Sequence, residues 1–155
     1  MNLTDPLFKG VNHKGKKIHE NDFDLVLRRS FEAGVEKIII SGTSLQGSRD
    51  ALEMSRSDLR LFSTVGCHPS HCLDFDKPEY GDPDSYLSNL LELAKKGKQE
   101  NKVVAIGECG LDYAELNECP KEIQLKYFER QFEISQATGL PMFLHCREAG
   151  PDFVS

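Results

Sequence analysis

The sequence predicts an α/β fold built on a parallel sheet, and three observations carry that expectation. Short apolar runs alternate with stretches of helical periodicity. Two of the runs are continuously apolar and two nearly so, the pattern of parallel strands buried on both faces. Thr43, His68, Glu108 and His145 each fall just past the C-terminal end of a run. That edge is where parallel α/β sheets place their active sites.

Five strand candidates follow in order. The first is a short remnant, Met1 to Leu3. A helix is expected from Asp22 to Ala33, with Phe23, Val26, Leu27 and Phe31 spaced by three and four and Gly34 as the stop. The second strand, Lys37 to Ile40, ends at Ser41-Gly42-Thr43. Leu45 to Arg56 follows as a helix with Ala51, Leu52 and Met54 as its apolar residues. The third strand, Leu61 to Val65, runs into Gly66-Cys67-His68-Pro69. After it, His71 to Asp84 is a loop rich in proline, glycine and acidic residues, of a kind that often carries function.

The next helix, Asp84 to Lys96, puts Tyr86, Leu87, Leu90, Leu91 and Ala94 on one face, with two lysines in its last turn. The fourth strand, Lys102 to Ile106, ends at Gly107-Glu108-Cys109-Gly110. Pro120 suits a first helical position and opens a helix to Thr138, with Phe128 and Phe132 as the expected core-facing pair. The fifth strand, Pro141 to Leu144, runs into His145-Cys146-Arg147.

Composition narrows the function. With 155 residues, 39% hydrophobic and 28% charged, the chain is neither collagenous, low-complexity nor disordered. A net charge of −6 leaves no basic nucleic-acid footprint. No run approaches the roughly 20 apolar residues of a membrane span, and the N-terminus has no export-signal pattern. Five cysteines, Cys67, Cys72, Cys109, Cys119 and Cys146, have no framework spacing and predict free thiols in a reducing, intracellular setting, nucleus or cytoplasm.

Strand alternation suggests how the polar residues converge. If Val104 and Ile106 face inward, so does Glu108; if Phe143 does, so does His145; Thr64, Gly66 and His68 share a parity. One carboxylate and two imidazoles then meet, while Cys67, Cys109 and Cys146 diverge. Such a set suits a divalent metal with nitrogen and oxygen ligands. The ion's charge would let an acidic protein handle phosphate chemistry. Asp112 fits either a functional carboxylate or a helix-start acid. His13, His19 and His71 read as structural or surface residues. No G-x-S-x-G elbow, G-x-x-x-x-G-K-[ST] loop or G-x-G-x-x-G turn is present.

The stretches Asn2-Leu3-Thr4-Asp5, Gly66-Cys67-His68-Pro69, Val103 to Asp112, Gln124 to Phe128 and Pro141 to Arg147 together resemble the TatD-type metal-dependent deoxyribonucleases, in their eukaryotic branch. The resemblance implies a partial (β/α)₈ TIM barrel of about the first five βα units, residues 1–155 forming one incomplete domain. It implies that Glu108 and His145 are catalytic metal ligands and that His68 and Asp112 contact substrate. The implied cofactor is a divalent metal ion, Mg²⁺ first, with Mn²⁺ or Zn²⁺ as alternatives. The implied reaction is hydrolysis of DNA phosphodiesters, often as a 3′-to-5′ exonuclease.

Many such proteins carry an H-x-H motif on the first strand; here Asn2 matches the end of a G-x-N pattern instead. The family's later histidine and aspartate, from its sixth and eighth strands, have no counterpart before Ser155. A competing expectation is therefore a catalytically inactive half-barrel, a fragment or splice product whose open sheet edges favour oligomerisation or chaperone binding. A deacetylase-like or phosphotriesterase-like hydrolase on the same barrel is a third, although those relatives usually show the first-strand H-x-H.

Overall fold

A computed structural model describes residues 2–154 of the chain. Four parallel strands form one sheet in the order β1-β2-β3-β4. They are β1 (Ile38–Ile40), β2 (Leu61–Val65), β3 (Val103–Asp112) and β4 (Met142–Arg147). The helices are α1 (Phe23–Glu32), α2 (Leu45–Ser55), α3 (Pro83–Gln99), α4 (Lys121–Thr138) and the short α5 (Gly150–Phe153). Sequence neighbours are sheet neighbours throughout, so each βαβ unit repeats the one before it.

The helices begin and end for local reasons. Ser44 caps α2 by accepting the Gly47 N–H, and Asp82 caps α3 by accepting the Ser85 N–H. Gly139, with φ +66°, ends α4 in the left-handed conformation that glycine adopts readily. Of the expected core-facing pair on α4, Phe128 is buried and Phe132 is 42% exposed. The deeply buried stripe of that helix is Gln124, Tyr127, Gln131 and Ile134, so two glutamines take places that a purely apolar face would fill.

The expected first strand does not form among the described residues; Met1 lies outside them. The Asp5 N–H bonds the Asn2 carbonyl, and Asp5 Oδ1 accepts the Leu7 N–H, opening a 3₁₀ turn over Pro6–Lys9. Local bonds of this kind compete with a ladder. Leu3 is instead a fully buried plug against Leu27, Ile38, Ile40, Ala51 and Leu61. The largest core lies between the sheet and its helices and includes Leu45, Val65, Phe75, Tyr86, Leu90 and Ile106.

The opposite sheet face is concave and open. Ile39, Ser41, Thr64, Ala105, Met142 and Phe143 line a groove of about 230 Å³ on it. Ile39 and Phe143 stand 48% and 41% exposed there. No helix among the described residues is long and apolar enough to cross a membrane.

Candidate metal centre at the strand ends

The site grows from the way β3 presses against β4. Gly107 and Gly110 have φ of +136° and +145°, values that side chains rarely adopt. A Cβ on Gly107 would stand 2.1 Å from the Phe143 carbonyl oxygen, and one on Gly110 would stand 1.9 Å from that of His145. The two glycines therefore let the strands approach where a side chain would hold them apart. The register also shifts between Ile106 and Cys109, and beyond it Gly110 pairs with His145 and Asp112 with Arg147.

That shift decides where Glu108 points. Simple alternation would send Ile106 and Glu108 to one face. Ile106 is instead buried in the helix-side core, while Glu108 reaches the open end of the sheet. The residue is the expected one, but a bulge rather than parity brings it there. His145 does share a face with Phe143: both stand on the concave side. Cys67 and Cys109 are buried behind the site, and Cys146 is exposed; all five cysteines are free thiols.

His145 is held between two carboxylates. Its Nδ1 lies 3.1 Å from Glu108 Oε1 and its Nε2 3.0 Å from Asp112 Oδ2. The two acids differ in setting: the Glu108 side chain is 23% exposed and that of Asp112 only 3%. Asp112 Oδ1 also accepts the Ala114 N–H. His68 meets His145 edge-on, with ring centroids 4.5 Å apart. Its Nδ1 contacts Ser70 Oγ at 2.8 Å, which fixes the ring. Burial, reinforced by the neighbouring His145, pushes the pKa of His68 down and so favours the neutral, ligating form.

All four expected site residues thus converge, and three of them form a group that could hold a metal ion. One donor atom each from His68, Asp112 and His145 lies within 4.8 Å of the others. Glu108 joins through its contact with His145. Nitrogen and oxygen donors converging around a nearly buried carboxylate fit a divalent ion. Asn2, Thr43, His68, Ser70, His71 and Glu108 line an adjoining cleft of about 250 Å³. A larger cleft, about 530 Å³, lies by α1 and the turn before β2, at the opposite ends of the strands. Its Arg60 and Asp58 are paired with each other.

Residues that the strand-end reading missed include Gln131 and Arg147. Arg147 Nη1 lies 3.8 Å from Asp112 Oδ2 and 3.5 Å from Glu115 Oε1. Gln131 accepts the Cys67 N–H beside His68. Its signal was a polar residue inside an otherwise core-facing helical stripe.

Residues 9–155 match the family model described as TatD related DNase. The chain belongs to the TatD family. A Schizosaccharomyces pombe protein named Deoxyribonuclease Tat-D is 43% identical over 152 residues, covering 98% of this chain and 48% of that protein. An Enterobacter lignolyticus protein named 3′-5′ ssDNA/RNA exonuclease TatD is 32% identical over 155 residues, covering all of this chain and 51% of the other. The crystal structure of a hydrolase TatD family protein from Entamoeba histolytica aligns with TM-score 0.85 at 36% identity, over 99% of this chain and 50% of that one. The TatD chain spans about half the length of the curated relatives it matches. Its curled four-stranded sheet is accordingly about half of a TIM barrel, and the strand ends that meet at His145 are at the mouth where such barrels carry their sites.

Proposed function

We propose that this protein is a metal-dependent hydrolase of DNA phosphodiesters, working as a 3′-to-5′ exonuclease on single strands. The observation that carries the reading is His145 gripped between Glu108 and Asp112, with His68 against it, at the C-terminal ends of parallel strands. The names of the S. pombe and E. lignolyticus relatives support the substrate class. In this reading His68, Asp112 and His145 hold the ion and Glu108 completes the group on the cleft side. His68 and Asp112, which the resemblance implies at the substrate, are read here as ligands; the closeness of their donor atoms supports this. Mg²⁺ is the expected ion, with Mn²⁺ or Zn²⁺ as alternatives.

When bound, the ion supplies Lewis-acid polarisation of a phosphoryl oxygen and lowers the pKa of bound water toward about 7. The chain's own residues do the rest. His68 Nδ1 accepts the Ser70 N–H at 3.3 Å and lies 2.8 Å from Ser70 Oγ, so Ser70 fixes the orientation of the ring. His145 has a carboxylate at each ring nitrogen, so whichever nitrogen ligates, the other donates to an acid that fixes the ring. Thr43, Ser70 and Asn2 offer neutral hydrogen-bond partners for phosphate oxygens along the cleft. With a net charge of −6, affinity for the strand comes chiefly from the ion. The free thiols fit an intracellular protein of nucleus or cytoplasm.

The deciding experiment is Mg²⁺-dependent nucleotide release from labelled single-stranded DNA by the intact protein. Glu108→Ala is expected to lose activity by about 100-fold or more, beyond the loss typical of a ligand's outer partners. Equal residual activity in that variant would sink the reading.

The exposed concave face supports a second reading, a half-barrel that binds partners without turnover. It expects oligomers or chaperone association, and a sharp monomer peak on size exclusion with a cooperative thermal transition would contradict it.

A further inference from the structure

Gln124 and Gln131 are wholly buried on α4. Seven residues apart, they lie on one face of the helix, roughly 10 Å from each other along its axis. Buried amides must be hydrogen-bonded, and these two are bonded in the same way. Gln124 accepts the Asp112 N–H at 2.8 Å and donates to the Asp112 carbonyl at 2.9 Å. Gln131 accepts the Cys67 N–H at 2.7 Å and donates to the Cys67 carbonyl at 3.0 Å. The remaining hydrogen of each amide goes to a backbone carbonyl, of Cys119 and of Tyr127.

Each glutamine therefore closes a two-bond ring on both backbone groups of one residue, as a neighbouring strand would. The paired register of β2 and β3 ends at Val65 and Ile106. Cys67 and Asp112 lie past that point, where the ladder between β2 and β3 no longer satisfies their backbone groups, although Asp112 stays in register with Arg147 on its other side. Cys67 is bonded to His68 in sequence, and Asp112 is itself in the ligand group.

We infer that Gln124 and Gln131 are the positioning residues of the site: two side-chain amides on one helix take over where the ladder between β2 and β3 stops, and fix His68 and Asp112 relative to each other. This rests on the reading of His68, Asp112 and His145 as metal ligands. The test is Mn²⁺ affinity, by the electron paramagnetic resonance signal of free Mn²⁺, together with amide hydrogen exchange at Cys67 and Asp112.

Gln124→Met and Gln131→Met keep the volume and remove the bonds. Each is expected to weaken Mn²⁺ binding by about 10- to 100-fold. Gln124→Glu and Gln131→Glu keep the acceptor for the N–H and should recover part of the loss; they also carry the measurement if a Met variant fails to fold. Thr138→Val removes a buried bond to the Ile134 carbonyl on the same helix and is expected to lower stability while leaving Mn²⁺ affinity unchanged. Folded Met variants that bind Mn²⁺ within about twofold of the parent would overturn the inference. If the parent itself binds no Mn²⁺, the metal reading fails and exchange alone decides the clamps. Faster exchange of the Asp112 N–H only in Gln124→Met, and of the Cys67 N–H only in Gln131→Met, upholds them; unchanged exchange overturns them.

Discussion

β3 and β4 are paired neighbours in one sheet, both apolar in sequence, yet most of β3 is buried and no residue of β4 is. What differs is their cover. α3 and α4 pack on β3, while among the described residues the four-residue α5 packs on β4. Leu111 on β3 is fully buried beside Phe128, while Leu144 on β4 is 43% exposed. An apolar strand sequence thus records a capacity for burial; the neighbours decide whether it is used. The site spans this boundary, with Glu108 and Asp112 from the covered strand and His145 from the bare one.

The largest effect is expected where the two strands touch. Gly110→Ala combines a φ of +145° with a Cβ driven onto the His145 carbonyl, and should cost about 2–6 kcal/mol in urea denaturation. A loss below about 1 kcal/mol would mean that β4 yields easily and the two strands are not one rigid unit. Next, Leu111→Ala should cost about 2–5 kcal/mol, against no more than about 0.5 kcal/mol for Leu144→Ala. Equal costs would abolish the contrast between the strands.

In the proposed reading a metal ion ties the two strands together. Mn²⁺ at 100 times its Kd should raise stability by about 2.7 kcal/mol, a gain absent in His145→Ala. The smallest effect is chemical. Cys109 on β3 is buried and its thiol is pushed up to about 12, by burial first and then by Glu108. Iodoacetamide at mildly alkaline pH should therefore modify exposed Cys146 while sparing Cys109, as read by peptide mass spectrometry. Modification of both at one rate would show β4 parting from β3.

Much of the site was legible because glycines and strand ends punctuate the sequence. Glu108 and His145 stand out as polar residues closing apolar runs, and both reach the mouth. The face of Glu108 was not legible for the right reason, since alternation cannot register a bulge. The first strand was misread because Leu3 is apolar both as a strand residue and as a plug; the Asp5 turn decides between them. Phe132 was misplaced because the buried stripe of α4 is partly polar, and an amide that completes a strand end looks like a surface residue until its partners are known. Asp112 divides its two oxygens: one starts a 3₁₀ turn and the other meets His145.

The chain has no tryptophan and four tyrosines, so its near-ultraviolet spectrum belongs to tyrosine. Tyr127 stacks on Phe75 at 4.2 Å, Tyr86 tilts against the same ring at 4.4 Å, and the Tyr86 hydroxyl lies 4.0 Å from the Cys67 sulfur. Phe75 sits in the 3₁₀ segment Pro69–Asp76 that His68 opens. The asymmetric packing of these rings should give the loop behind His68 a near-ultraviolet circular-dichroism signal. Tyrosine is absent from β4. The near-ultraviolet spectrum therefore reports the ring cluster behind His68, together with Tyr113, whose hydroxyl donates to Asp152 of α5.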